Sequence, residues 1–184
     1  MTSGVPQGSV LGPYIFAVVA GSFISSDSSS PLIKFADDFT FCFPIYKSNS
    51  NSHVNVQHLR LLQWSDQMSL PLNISKCKSL LISKSSHCTS ITLENVVNVT
   101  RFKLLGVTFN AKCSWNDHID NIVLHASRRL FPFRFIRQHV SKRQLKILYF
   151  SFVRSLLDYC APLFVGLSKK CAKKLNNIQR RFHV

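Results

Sequence analysis

Acidic residues are the first shortage in this sequence. Only 8 Asp and Glu stand against 23 Lys and Arg in 184 residues, so the net charge is +15 at neutral pH. Charge of either sign is modest at 17%, while hydrophobic residues reach 46%. That balance excludes a disordered composition and allows a packed core of one domain or one and a half. A foldable chain with such an excess suits a polyanionic partner, nucleic acid first and an anionic membrane surface second. The excess is uneven. Residues 1–111 carry 8 basic and 5 acidic groups, a net of +3, whereas residues 112–184 carry 15 and 3, a net of +12.

Other features are also missing. No C-x-x-C pair occurs among Cys42, Cys77, Cys88, Cys113, Cys160 and Cys171, and Cys and His do not fall at zinc-site spacings. The chain is long enough to fold without disulfides, so scattered reduced thiols are expected. There is no internal repeat. No apolar run is long enough to cross a membrane. Val10 to Ile24 resembles the apolar part of a signal peptide, but no Lys or Arg precedes it and Pro13 interrupts it. The triplets Asn73-Ile74-Ser75 and Asn98-Val99-Thr100 match the glycosylation pattern, which is common by chance.

What is present reads as mixed α/β followed by all-helical structure. Residues 1–13 are rich in turns, and Pro13 to Ile24 predicts a buried helix. Leu32 to Ala36 and Phe39 to Phe43 are short apolar runs around Asp37-Asp38, a β-hairpin pattern. The 47–53 stretch is Ser/Asn-rich and predicts a loop. Leu61, Trp64 and Met68 keep helical spacing over Val54–Leu70, and Pro71 ends it. Short strands are expected at Ser79–Ser83, Ser90–Leu93 and Phe102–Phe109. Asn116 or Asp117 is expected to cap a helix with Ile119, Ile122, Val123, Ala126 and Leu130 on its apolar face, broken near Pro132. Ser141 reads as another cap. Leu145, Leu148, Tyr149, Phe152, Val153 and Leu156 form the stripe that follows. A last helix from Ser168 carries Ala172, Leu175, Ile178 and Phe182 on one side.

Asp37-Asp38 carries the chemical expectation. Two carboxylates fixed side by side at a hairpin turn repel each other unless a cation compensates, and Mg²⁺ (or Mn²⁺) prefers such hard oxygens. A pair of such metals supports phosphoryl transfer, one activating a hydroxyl and one steadying a triphosphate. The plainer reading is an ordinary turn, where Asp is favoured anyway. Phe35, Phe39, Phe41 and Phe43 predict a buried hairpin, and nothing in its stability requires two adjacent acids.

The string Gly4-Val5-Pro6-Gln7-Gly8-Ser9-Val10-Leu11-Gly12-Pro13, standing before Phe35-Ala36-Asp37-Asp38, resembles two successive blocks of reverse transcriptases of non-LTR retrotransposons. Three further stretches keep the family's order. Leu70 to Lys78 is similar to its L-x-x-N-x-x-K block. Phe102 to Val107 is similar to its F/Y-K-Y-L-G-V strand, and Trp115, His118 and Ile119 to its W-x-x-H-I segment. Tyr159-Cys160 falls where such elements carry a Y-G or Y-C pair after a helix.

The resemblance implies an α+β fold: a partial polymerase palm over residues 1–111, then an all-helical, basic, thumb- or connection-like region over 112–184. It implies an RNA-directed DNA polymerase that takes an RNA template, a DNA primer and deoxynucleoside triphosphates. Asp37 and Asp38 would be catalytic and metal-binding. Pro6, Gln7, Gly8, Ser9 and Lys76 would meet the substrate, the glycines bringing backbone close and Lys76 offsetting charge on pyrophosphate. Leu104, Leu105, Gly106 and Val107 would form a strand near the primer end. Trp115 and His118 also suit plainer roles, as a core anchor and a helix-start residue.

Arg128, Arg129, Lys169, Lys170, Lys173, Lys174, Arg180 and Arg181 would track the nucleic-acid backbone, with Arg134 and Arg137 extending the charge; the alternative is a solvated face. The family's third metal-binding carboxylate belongs on a strand before the first block, where only Met1, Thr2 and Ser3 stand here, and Asp27 lies in the wrong place. The expectation is therefore a fragment inactive on its own. Rival readings are a non-catalytic nucleic-acid-binding remnant and an unrelated secreted, disulfide-bonded basic protein. The compartment (nucleus or cytoplasm, if expressed) and the oligomeric state stay open.

Overall fold

The structure is a computed structural model and describes residues 8–45, 50–83 and 92–182. Pro6 and Gln7, and the first half of the strand expected at Ser90–Leu93, lie outside those residues. The elements run α1 (Gly12–Gly21), β1 (Leu32–Phe35), β2 (Asp38–Phe41), α2 (Ser50–Gln67), β3 (Lys78–Leu80), β4 (Val97–Val99), β5 (Arg101–Leu104), β6 (Val107–Asn110), α3 (Asn116–Leu130), α4 (Phe133–Ile136), α5 (Lys142–Tyr149), α6 (Ser155–Asp158) and α7 (Lys169–Phe182). The fold is α+β. Its described strands form three two-stranded sheets, β1-β2, β3-β4 and β5-β6. The described residues fall into two compact units, one within Met1–Ser79 and Thr89–Val97, the other within Leu80–Cys88 and Asn98–Val184.

In the first unit an aromatic cluster replaces a large core. Phe23 is buried. Its ring meets Phe39, Phe41 and Trp64 at centroid separations of 6.2, 6.1 and 5.4 Å. Burying one such ring is worth about 1.5–3 kcal/mol. The cluster binds the end of α1, the inner face of the hairpin and α2 to one another. On α2, Val54 and Leu61 are buried.

Several expectations for this unit fail, and of the loop expected at 47–53, residues 50–53 belong instead to α2. The helix expected over Pro13–Ile24 runs Gly12–Gly21, and Ala20 is its buried residue, while Tyr14, Ile15 and Val18 are exposed. An apolar helix needs a second layer on each face, and within this unit only one face meets a neighbour. The hairpin is not buried throughout: Phe35 is 61% exposed, whereas Phe39, Phe41 and Phe43 are half-buried. The antiparallel register explains the difference. Leu32 pairs with Phe41 and Lys34 with Phe39 on the inner face, so Phe35 pairs with Asp38 on the other. On α2, Met68 falls just past the helix end and is exposed.

The second unit has a helical core. Ile122 and Ala126 of α3 meet Tyr149, Val153, Leu157 and Ile178, with Leu130, Phe133, Leu175 and Phe182 packed around them. Tyr149 and Phe182 stack at 3.8 Å. Ser141 caps α5 as expected, in a capping box with Gln144. The stripe after it departs from expectation. A π-helical turn spans Phe150–Arg154, so the buried positions run Leu145, Tyr149, Val153, Leu157, four residues apart, and Phe152 is turned outward at 56% exposure. On α7, Cys171 and Ile178 are the buried residues.

The strand expected over Phe102–Phe109 is instead two strands, β5 and β6, with Leu104 opposite Val107. Leu105 and Gly106 form the turn at φ +47° and +85°. Two left-handed residues in a row are what a type I′ hairpin demands, and Gly106 makes that affordable. Leu104 to Val107 is therefore a turn with its two flanking residues, not a continuous strand. The strand expected at 79–83 is the shorter Lys78–Leu80, and Leu93 lies before β4 rather than in a strand.

Candidate catalytic hairpin and basic helices

The hairpin register decides where the acidic pair sits. The two-residue turn is Ala36-Asp37, with Ala36 at φ +50°, and Asp38 opens β2 opposite Phe35. The turn is thus one residue earlier than Asp37-Asp38. Both carboxylates are exposed, Asp37 in the turn and Asp38 on the face that turns away from Phe39 and Phe41.

Lys34 ties this hairpin to α1. Its ammonium donates to the carbonyl oxygens of Ala20 (2.7 Å) and Gly21 (3.4 Å), and closely to that of Phe23. These are carbonyls at and just past the helix C-terminus, which lack intrahelical donors and carry the negative end of the dipole. The same Nζ lies 5.6 Å from the Phe39 ring centroid. Partial burial pulls the Lys34 ammonium below its ordinary value. At the other end of α1, Ser9 Oγ accepts from the Gly12 amide (3.1 Å), and Gly8 takes φ +86°. The described part of the glycine-rich block and the acidic hairpin are therefore coupled through one helix. Sequence reasoning passed over Lys34. The available signal was parity: Lys34 shares the inward side of β1 with Leu32, and an inward lysine needs acceptors.

Asp27 serves its own loop. Its carboxylate accepts from the Ser29 hydroxyl (2.6 Å), the Ser30 hydroxyl (2.6 Å) and the Ser29 amide (2.9 Å). Those bonds, Ser29 first, hold its carboxyl down to about 2. Lys76 is exposed at the end of a 3₁₀ turn, Ile74–Lys76, and makes no hydrogen bond or ion pair with Asp37 or Asp38. Among the described residues no three His, Cys, Asp or Glu side chains gather as a metal cluster. Two shallow clefts of about 270 and 340 Å³ lie along α2, and neither is lined by Asp37 or Asp38.

In the second unit, β6 packs on α3 through two polar side chains. Asn110 Oδ1 accepts from the Ser114 amide (2.9 Å), and its Nδ2 donates to Ser114 Oγ (2.9 Å) and Asp117 Oδ2 (2.8 Å). This clamp organises the start of α3, whose N-cap position is Trp115 rather than Asn116 or Asp117. His118 is 3% exposed; its Nδ1 accepts from the Thr108 amide (3.3 Å), and its buried Nε2 has no partner among the described residues. Burial first, and the charge of Lys103 second, hold His118 below its ordinary value. Trp115 packs among Phe109, His118 and Phe164. Both residues act as anchors between hairpin and helices.

The basic residues divide into two groups. Arg129 Nη1 donates to the Phe152 carbonyl in the π-helical turn (2.7 Å), Lys174 pairs closely with Asp120, and Arg181 reaches Ser127 Oγ (3.4 Å). These three hold α3 to its neighbours. Arg128, Lys169, Lys170, Lys173 and Arg180 are exposed, with no ion pair to a carboxylate among the described residues. No described helix is long and apolar enough to cross a membrane. Cys42, Cys77, Cys113, Cys160 and Cys171 are free thiols.

Comparison with known proteins gives a consistent result. The family described as reverse transcriptase (RNA-dependent DNA polymerase) matches residues 1–109. The RNA-directed DNA polymerase from mobile element jockey of Drosophila melanogaster is 27% identical over 133 residues, covering 66% of this chain and 14% of that protein. No solved structure matches.

Proposed function

The chain belongs to the reverse transcriptase (RNA-dependent DNA polymerase) family, and from that membership we propose that it is the part of a retrotransposon polymerase that presents two catalytic carboxylates and grips the primer–template duplex. The family transfers nucleotidyl groups with divalent cations. Asp37 and Asp38 would hold Mg²⁺ (or Mn²⁺). Their donor set fits in kind, being exposed hard oxygens, but two carboxylates leave most of an octahedral shell to water, phosphate and other ligands. When bound, the metal would supply charge neutralisation at the reacting phosphate.

The chain's own residues have roles of positioning and charge. Pro6, Gln7, Gly8 and Ser9 would lie against template and incoming nucleotide, and Lys76 would approach the triphosphate. Leu104, Leu105, Gly106 and Val107 would lie at the primer end, as a turn. Residues 1–111 would act as partial palm and 112–184 as the thumb- or connection-like region. RNA template, DNA primer and deoxynucleoside triphosphates are the proposed partners. Arg128, Lys169, Lys170, Lys173 and Arg180 would track phosphates directly; Arg129, Lys174 and Arg181 would contribute mainly by holding the helices that carry them.

The observation that carries this reading is the coupling of Ser9, α1, Lys34 and the acidic hairpin, which keeps two motif blocks in one rigid arrangement. Misplacement by as little as about 1 Å costs such chemistry heavily. The test has two arms. Binding of the chain to an RNA–DNA duplex should weaken steeply with salt and show little sequence preference. Mn²⁺, followed by its effect on water relaxation, should bind the chain more weakly after Asp37→Asn or Asp38→Asn. Salt-independent binding would remove the duplex grip. Mn²⁺ affinity unchanged in both variants would remove the metal assignment. Primer extension on a homopolymer template should give no product from this chain alone, because two carboxylates on one turn leave a metal shell incomplete, and clear extension would refute that expectation.

A further inference from the structure

Tyr159 sits just after α6 and 54 residues from the β5–β6 turn, yet its hydroxyl donates to the Leu105 carbonyl at 2.8 Å. Its ring also lies against Gly106. A Cβ placed on Gly106 would meet Tyr159 Cε1 at 3.2 Å, tighter than ordinary van der Waals contact. These are two separate contacts on the two central residues of one turn. The ring is 66% exposed, so burial is a small part of what it does. Its base is fixed: the Tyr159 amide donates to Ser155 O (3.1 Å), and Leu157 and Cys160 on either side are buried. The far end of the hairpin is held by Asn110, but a two-stranded hairpin has little stability of its own at its tip.

We propose that Tyr159 is a positioning residue that holds the Leu105-Gly106 turn rigidly to the helical region, and so sets where the primer 3′ end is received. The proposal rests on the reading above that this turn lies at the primer end. Tyr159 itself touches no reacting group. Gly106 is required twice over, for its left-handed backbone and for the space its missing Cβ leaves to the ring. The turn and the phosphate-tracking helices then move as one body, linking duplex grip to the placement of the primer terminus.

The experiment compares the 184-residue chain with Tyr159→Phe and Gly106→Ala. Tyr159→Phe keeps the ring and removes the hydroxyl. Amide hydrogen exchange at Leu104 and Val107 should quicken roughly three- to tenfold, the effect of one lost hydrogen bond, while the amides of α3 and α7 keep their rates. Binding is then measured to an RNA–DNA duplex with a recessed DNA 3′ end and to a blunt duplex of equal length. The wild type should prefer the recessed end. Both variants should lose most of that preference, and Tyr159→Phe should keep the wild-type affinity for the blunt duplex. Unchanged exchange at Leu104 and Val107 overturns the proposal, as does equal weakening on both duplexes, which a merely structural residue would give. A preference that Tyr159→Phe retains removes the role of Tyr159 alone. A wild type without the preference removes the primer-end placement of the turn, and the proposal with it.

Discussion

Replacing Lys34 by Met tests the link between α1 and the acidic hairpin. The Met side chain keeps most of the aliphatic stem and loses the ammonium. Three carbonyl oxygens, those of Ala20, Gly21 and Phe23, lose their donor. The Gly21 contact is long and its residue exposed, so water replaces it readily. Ala20 and Phe23 are buried residues, where replacement is harder. A hydrogen bond to a charged group contributes about 1.5–3 kcal/mol, and the helix-dipole contribution adds about 0.3–1 kcal/mol. Water recovers part of this, which leaves an expected loss of about 2 kcal/mol. The assay is urea unfolding of the first unit, reported by Trp64, whose ring packs on Phe23 and Phe39. A Trp115→Phe background silences the other tryptophan. With a slope of about 1–2 kcal/mol per molar, the midpoint should fall by about 1–2 M, and Lys34→Arg should recover part of it. A Met variant that unfolds within about 0.2 M of the parent would refute the argument, because the carbonyls would then have needed no ammonium.

Four further outcomes follow from the same geometry. The Asp27 carboxyl, held to about 2 by Ser29 and Ser30, contributes stability that is present above its ordinary value near 3.8 and lost as pH falls toward 2; the Ser29 amide resonance should titrate near 2, and a midpoint near 3.8 would show the loop bonds to be absent. His118 is kept neutral by burial, so the second unit should lose stability as pH falls below about 6.5 and on through the lower folded value, a dependence that His118→Gln flattens in thermal melts at pH 7.5 and 5. Arg129→Ala should cost roughly 1–2 kcal/mol by stripping the Phe152 carbonyl of its donor, with little change in the salt dependence of duplex binding. Lys169→Ala with Lys173→Ala should do the reverse, lowering the salt slope by about 0.9 for each phosphate contact removed and leaving the melting temperature nearly unchanged.

Much of the local structure was legible from the order of residues. The Ser141 cap, the α7 stripe through Leu175, Ile178 and Phe182, and the hairpin around the acidic pair all follow from periodicity and capping chemistry, which act over a few residues. The family was legible too, because the G-V-P-Q-G-S block and the F-A-D-D block stand in order over the span that the family match confirms. Register was less accessible. Whether the turn is Ala36-Asp37 or Asp37-Asp38, and whether Gly106 bends a strand or reverses it, depends on which hydrogen bonds close across the pair. The π-helical turn at Phe150–Arg154 was hidden for a similar reason: the donor that Arg129 offers to its Phe152 carbonyl is in place only once α3 has packed beside it.

The sequence by itself determined the chemistry available to this protein: two adjacent carboxylates on a hairpin, a basic C-terminal half, and helices whose apolar faces were already marked. Tertiary structure alone decided which charges are spent on holding the fold and which stay exposed. Lys34, Arg129 and Lys174 look like any other cation in the chain; what separates them from Lys169, Lys170 and Lys173 is an acceptor tens of residues away in several cases, and such an acceptor exists only once the elements have packed.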